Sequence, residues 1–198
     1  MCQKLLSDRS YTRVNAIYVP KTVFDRSDRT FKKILQTGPF YVKINLIYGW
    51  QRRSELATAY VDGSYDAETG QFSYGIVFFP EIEGAKEEER ELHFSKAFYE
   101  PELSEMRNVA GEIMGAAQAM KLAEKAGLGN LTIHHDYEGI AKWCTGEWKA
   151  RKKWTQKYKA FYDEISKNLD VKFVKVKGHS GDKYNELADK LAGKALGK

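Results

Sequence analysis

The chain has 198 residues, 42% of them apolar and 13% aromatic, which suits one packed domain plus an appendage and excludes a disordered chain. The formal charge is +5, and no run approaches the about 18 consecutive apolar residues of a membrane helix. Cys2 and Cys144 lie far apart without metal-site spacing, as free thiols of a reducing compartment do, and Lys4, Asp8, Arg9 and Arg13 stand where a secretion signal needs an apolar core, so a soluble cytoplasmic protein is expected.

Residues 1–56 hold eleven Lys/Arg against four Asp/Glu. Within them Ile44, Leu46 and Tyr48 alternate as in a strand, and 28–35 has the composition of a short basic helix. This stretch reads as a basic extension, structural by first choice and nucleic-acid-binding through Arg52 and Arg53 by second. From Ala57 onward strands are expected at 57–62, 72–79 and 91–99. They are joined by a turn over Asp66 to Gly70 and by a turn around Gly84, in a segment where six glutamates face only Lys86 and Arg90. A helix is expected from Ser104 as N-cap to Ala126, ended by Gly127 and Gly129, with the stripe Val109, Ile113, Ala116, Met120 and Ala123 facing inward. A strand at 131–135, helices near 138–145 and 152–167, a strand at 171–176 and a last helix over 183–196 complete the order. A three-strand antiparallel meander followed by alternating helix and strand gives an α/β fold, a five-stranded mixed sheet flanked by helices.

Four carboxylates sit where such a fold can bring them to one point. Asp62 ends the run Thr58-Ala59-Tyr60-Val61 and precedes Gly63-Ser64; Glu112 lies early in the long helix. Asp136 ends Leu131-Thr132-Ile133-His134-His135, and Asp189 falls on the last helix, ten residues after His179 in Gly178-His179-Ser180-Gly181. No hydrophobic core needs acids there, and crowded together they would resist ionising unless cations neutralised them. Oxygen ligands in that number suit magnesium or manganese, and paired ions of that kind drive phosphodiester hydrolysis. Taken singly the pieces are weak, because Asp-Gly is usually a turn and a helical Glu is usually solvated.

As an ordered set they resemble bacterial-type type 1 ribonuclease H from about Ala57 to Lys194: a D-G-S strand, an N-x-x-x-E helix, a strand-end Asp, a G-H-[AS]-G loop and N-E-x-x-D. The resemblance implies a catalytic domain over 57–198, following the extension at 1–56. It implies an endonuclease that cuts the RNA strand of RNA–DNA hybrids, leaving 5′-phosphate and 3′-hydroxyl ends. Asp62 would bridge two magnesium ions, with Glu112 and Asp136 on one and Asp189 on the other, and manganese could substitute. His179 would aid proton transfer or product release, Asn108 would contact the hybrid's minor groove, and Asn185 would hold the Asp189 carboxylate or cap its helix. Two positions depart from the family: Arg107 replaces a threonine, and Tyr137-Glu138 replaces the common Ser-Gln.

Residues 142–159 hold seven Lys/Arg against one Glu. There Trp143, Trp148, Lys149, Arg151, Lys152, Lys153 and Trp154 correspond to the family's basic handle, in a trimmed form, where indoles can stack and cations can neutralise a sugar-phosphate strand. Core packing is the better reading for Trp143 alone. His134 and His135 are consecutive strand residues and point to opposite faces, so they cannot join Asp136 around one zinc ion and are read as structural. Other enzymes of the same fold are less compatible. A 3′–5′ exonuclease wants D-x-E on its first strand, where this chain has Asp62-Gly63-Ser64, and an integrase lacks the Glu112 helix and the His179 loop. A non-catalytic hybrid binder would have lost at least one acid. A monomer working on RNA–DNA hybrid, with no membrane and no obligate protein partner, is the expectation.

Overall fold

A computed structural model of the chain describes residues 56–81, 90–178 and 181–198. The expected strand at 44–48, the basic helix at 28–35, the turn around Gly84 and the loop residue His179 lie outside the described residues. Five strands form one sheet: β1 (Leu56–Tyr65), β2 (Phe72–Pro80), β3 (Leu92–Phe98), β4 (Asn130–His135) and β5 (Asp170–Lys175), in the order β3-β2-β1-β4-β5. The first three make the expected antiparallel meander, and β4 and β5 join parallel to β1. Gly70, at φ 68°, closes the first hairpin by donating its N–H to the Asp66 carbonyl at 2.9 Å.

Five helices flank the sheet among the described residues: α1 (Pro101–Ser104), α2 (Asn108–Lys125), α3 (Gly139–Thr145), α4 (Lys153–Ile165) and α5 (Lys183–Ala195). The period-2 alternation of β4 assigns its faces. Leu131, Ile133 and His135 are buried, and His135 meets Phe173, which in turn meets Tyr162 of α4. His134 faces the other way, stacked on Tyr60 at 4.3 Å, and Tyr60 meets Tyr184 of α5. The two histidines therefore diverge across the sheet, as their spacing requires. The core between the sheet and α2–α4 is built from Val61, Ile76, Ile113, Met120, Ile133, Ile140, Tyr158 and their neighbours. Each such large side chain contributes about 1.5–3 kcal/mol on burial.

Two helices approach the sheet closely enough that only glycine fits. A Cβ on Gly63 of β1 would fall 2.3 Å from the Asn108 carbonyl, and one on Gly111 of α2 would fall 2.0 Å from the Ser73 carbonyl. On the opposite face a Cβ on Gly75 of β2 would fall 2.0 Å from the Ala188 carbonyl of α5. These approaches bring Glu112 and Asp189 down onto β1.

The expected helix over 104–126 is two helices. Arg107 sits at φ 53° and ψ −131°, a region that L side chains rarely adopt, and breaks the chain between α1 and α2. Ser104 accordingly does not cap the long helix; its hydroxyl ties α1 to the Gly70 and Glu100 carbonyls at 2.7 and 2.9 Å. No helix among the described residues is long and apolar enough to cross a membrane.

Candidate active site

The parallel pairing of β1 with β4 runs from Leu56↔Asn130 to Tyr60↔His134. Asp62 and Asp136 each lie two residues beyond that last pair, so adjacent parallel strands carry the two acids side by side past their shared ladder. Crevices outside the carboxyl ends of parallel strands are where open α/β sheets bind ligands. Asp62 is not the end of its strand, as expected, because β1 continues to Tyr65 by pairing with β2 and Asp62 stands opposite Gly75. Glu112 reaches the same point from α2, which rests on Gly63. Ligand oxygens of Asp62, Glu112 and Asp136 lie within 4.8 Å of one another.

Burial and like charge dominate this cluster. Asp62 is 8% and Glu112 2% exposed. Burial, then the Asp136 charge, raises the Asp62 carboxyl to about 7, against a hydrogen bond from the Gly63 N–H. The same two causes, joined by Asp62, raise Glu112 to about 9, against the lowering effect of the nearby Tyr137 backbone N–H. The Glu112 Oε2 atom is buried without a hydrogen-bond partner among the described residues. An acceptor left bare among other acids costs stability, and a hard divalent cation relieves it. The donor set is all oxygen, the kind that hard divalent cations prefer.

Asp189 stands outside this trio, on α5, close enough for its charge to raise Asp62 further. Asn185, one turn earlier, is 3% exposed, and its Oδ1 has no partner among the described residues. The cap of α5 is Asp182, which accepts from the Tyr184 and Asn185 N–H groups at 3.0 Å. Asn108 is exposed at the first turn of α2. His179 lies outside the described residues, but its neighbour Gly178 is packed against Asp136, where a Cβ would fall 2.6 Å from Oδ2.

The expected handle is a short connection between α3 and α4. Trp148, Lys149, Arg151, Lys152 and Lys153 are exposed there. Trp148 packs against Trp143 and Tyr137 at ring distances of 6.0 and 6.3 Å, and Lys142 lies 5.3 Å over its ring. Trp143 is buried, as core packing requires. Trp154 is not part of the exposed surface: it is 7% exposed on the inner side of α4. The spacing Trp154, Tyr158, Phe161, Ile165 is the signal that could have placed it inward. Lys153 pairs with Glu102 of α1 at 2.7 Å.

Three further residues contribute in ways the sequence did not show, two of them marked there only as a departure from the family and one as structural. Tyr137 links the carboxylates to the tryptophans, because its backbone N–H lies near Glu112 while its ring meets Trp143. His135 Nδ1 donates to the Tyr137 carbonyl at 2.9 Å. Glu138 pairs with both Lys142 at 2.6 Å and Lys175 at 2.8 Å, and the hydrogen bonds from these lysines lower its carboxyl to about 2. No sequence pattern marks these pairings.

Comparison with known proteins gives a concordant result. The chain is 32% identical over 148 residues to the ribonuclease H of Pseudoalteromonas translucida, covering 70% of this chain and 88% of that protein. It is 32% identical over 149 residues to the ribonuclease HI of Caulobacter vibrioides, covering 70% and 91%. A ribonuclease H of Clostridium botulinum is 44% identical over a shorter stretch of 60 residues, which is 29% of this chain and 40% of that one. Among solved structures, RNase H1 from Halobacterium salinarum superposes with a TM-score of 0.57 at 19% identity, over 72% of this chain and 98% of that one. LC11-RNase H1, crystallised in complex with RNA/DNA hybrid, superposes with a TM-score of 0.53 at 18% identity, over 71% and 99%. These two share the fold. The RNase H family model matches residues 54–197, a span that holds every strand and helix described above and all four carboxylates, and the chain belongs to that family of enzymes.

Proposed function

We propose that the domain over 57–198 is an endonuclease that hydrolyses the RNA strand of RNA–DNA hybrids, leaving 5′-phosphate and 3′-hydroxyl ends. It works as a cytoplasmic monomer, and residues 1–56 form a basic extension. The observation that carries this reading is the convergence of Asp62, Glu112 and Asp136 within 4.8 Å, with a Glu112 oxygen buried and unpartnered among the described residues. The hybrid bound by the similar LC11-RNase H1 supports the choice of substrate.

Asp62, Glu112, Asp136 and Asp189 would hold magnesium, or manganese in its place, and two such ions when bound supply an activated water and stabilisation of the leaving 3′ oxygen. The imidazole of His179 takes and passes a proton near neutral pH, with its backbone next to the Gly178 that abuts Asp136. Asn108, exposed one turn before Glu112, reads the minor groove, where 2′-hydroxyls distinguish RNA. Asn185 holds the Asp189 carboxylate from one helical turn away. Trp148, Lys149, Arg151, Lys152 and Lys153 grip the sugar-phosphate strand.

Labelled RNA–DNA hybrid, double-stranded RNA and double-stranded DNA, each incubated with magnesium or EDTA, test the reading. Cleavage is expected for the hybrid alone, in magnesium alone. Asp62→Asn should abolish turnover while the circular-dichroism spectrum and hybrid binding persist, because it removes the charge proposed to bridge the two ions. Wild-type turnover by this variant would sink the metal assignment, and cutting of double-stranded DNA would sink the substrate.

A further inference from the structure

His135 is the last residue of β4 and immediately precedes Asp136. Its carbonyl accepts from the Val176 N–H at 2.9 Å, so its backbone is the last point at which the β4–β5 ladder holds the chain. Its ring is 1% exposed and lies edge-on to Phe173 at 5.9 Å. Nδ1 is 2.9 Å from the Tyr137 carbonyl oxygen. A carbonyl can only accept, so Nδ1 carries the proton and Nε2 keeps a lone pair. That Nε2 is buried without a partner among the described residues.

A position that needed only volume would be filled by Phe or Leu, with no stranded lone pair. What the imidazole adds is the bond to the Tyr137 carbonyl. The other side of the same residue faces the site, because the Tyr137 backbone N–H lies near enough to Glu112 to favour its charged form. The bend from His135 to Tyr137 is therefore tied across by the imidazole, with Asp136 at its apex and Glu112 beside it. We infer that His135 is a positioning residue which, through the Tyr137 peptide, sets the spacing of Asp136 and Glu112 for metal binding. This rests on the reading of the carboxylates as a divalent-metal site.

The full chain is titrated with magnesium chloride by calorimetry, and its cleavage of hybrid is measured as kcat and KM, for wild type, His135→Phe and His135→Asn. Phe keeps the packing and removes the donor. Asn puts an N–H near the place of Nδ1–H. His135→Phe should weaken magnesium binding by roughly 10–100-fold and lower kcat at fixed magnesium while leaving KM for hybrid close to wild type, and His135→Asn should recover most of the loss. If His135→Phe does not fold, His135→Met takes its place, since Met fills irregular space without a donor. Magnesium affinity unchanged in the donorless variant overturns the inference, as does an equal loss in His135→Asn. A wild type that neither binds magnesium nor cuts hybrid overturns the functional reading and this inference with it; a normal wild type beside an unaffected His135→Phe overturns this inference alone.

Discussion

At the carboxylates, backbone touches backbone. Gly63 lies under the Asn108 carbonyl and Gly111 under the Ser73 carbonyl, while Gly178 backs the Asp136 side chain, so close backbone approach seats the acids. At the connection between α3 and α4, a backbone bond from the Trp148 N–H to the Lys142 carbonyl is joined by side-chain contacts: Trp148 leans on Trp143 and Tyr137, Lys142 lies over Trp148, and Lys149, Arg151 and Lys152 are exposed. The first region spends folding energy to crowd like charges, and the second spreads like charges in solvent. Metal chemistry needs positions held to a fraction of an ångström. Gripping a polyanion needs charge and reach, since counterion release is insensitive to the detailed pose of each lysine.

The sharpest way to break this contrast is to add one methyl group to the rigid side. In Gly111→Ala the new Cβ would stand 2.0 Å from the Ser73 carbonyl and 2.8 Å from the Gly63 Cα, both backbone atoms that cannot swing aside. Alanine favours a helix interior by about 1 kcal/mol over glycine, but overpacking against fixed backbone costs about 1–3 kcal/mol or more, so the clash wins. Urea denaturation should show a lower midpoint. Hybrid turnover should fall further than stability explains, because α2 must lift and carries Glu112 with it. A stabilised, fully active variant would show that α2 is not seated by this contact.

The soft side is tested by charge. Neutralising Lys149, Arg151, Lys152 and Lys153 together should weaken hybrid binding and lower its log–log salt slope by about two to three units, at roughly 0.7–0.9 for each phosphate no longer neutralised. Lys153 already pairs with Glu102, so the lower end of that range is expected. Turnover at saturating hybrid should hold, because none of these residues enters the carboxylate cluster. An unchanged slope in a titration from low to moderate salt would move nucleic-acid binding to another surface, such as the Arg52–Arg53 region.

Much of the rigid side was legible in the sequence. Acids after apolar strands have no packing role, so Asp62 and Asp136 stood out by chemistry, and strand alternation placed His134 and His135 on opposite faces. The break at Arg107 was not legible. Neither Met106 nor Arg107 is a helix breaker, and what stops the helix is a tertiary demand: α2 must begin over Gly63, so the chain turns through an unfavourable φ to get there. The burial of Trp154 was obscured by the lysines around it, although α4 repeats apolar residues at helical spacing. The approach of Glu112 on α2 to Asp136 beyond the end of β4 is a contact across the fold, and such contacts leave no local pattern.

Crowded acids also have a pH signature in the absence of metal. The Asp62 and Glu112 carboxyls are raised to about 7 and about 9 in the folded chain, while in the unfolded chain they titrate near the ordinary carboxylate range. At pH values between the unfolded and folded pKa, the folded state therefore binds more protons than the unfolded one. The stability these groups allow is fully present below the unfolded pKa and is lost as pH rises through about 7 and then about 9. In EDTA the wild-type melting temperature should fall from pH 5 to pH 9 relative to that of Glu112→Gln. Taking the difference between the two proteins cancels the buried His134 and His135, whose lowered values act in the opposite sense. Magnesium should flatten the wild-type curve. A relative rise with pH would mean that the acids are paired with cations in the free protein.

The smallest effect is expected where the two regions meet. Glu138 follows the carboxylates by two residues, yet it belongs electrically to the soft side. It is held by Lys142 and Lys175, and Lys142 also covers the Trp148 ring. One acid between two lysines leaves that surface with one net positive charge, which explains how a glutamate can stand where nucleic acid is expected to pass. Glu138→Gln keeps the shape and frees both lysines. Exposed ion pairs contribute little, so stability should scarcely move. Hybrid affinity at low salt should rise by on the order of two- to fivefold, with a slightly steeper salt slope, because one more cation is free to displace a counterion. Turnover at saturating hybrid and the magnesium requirement should stay as in wild type. Weaker hybrid binding would show instead that Glu138 orients Lys142 and Lys175 for contact, so that its value lies in geometry and the soft side is more ordered than its exposure suggests.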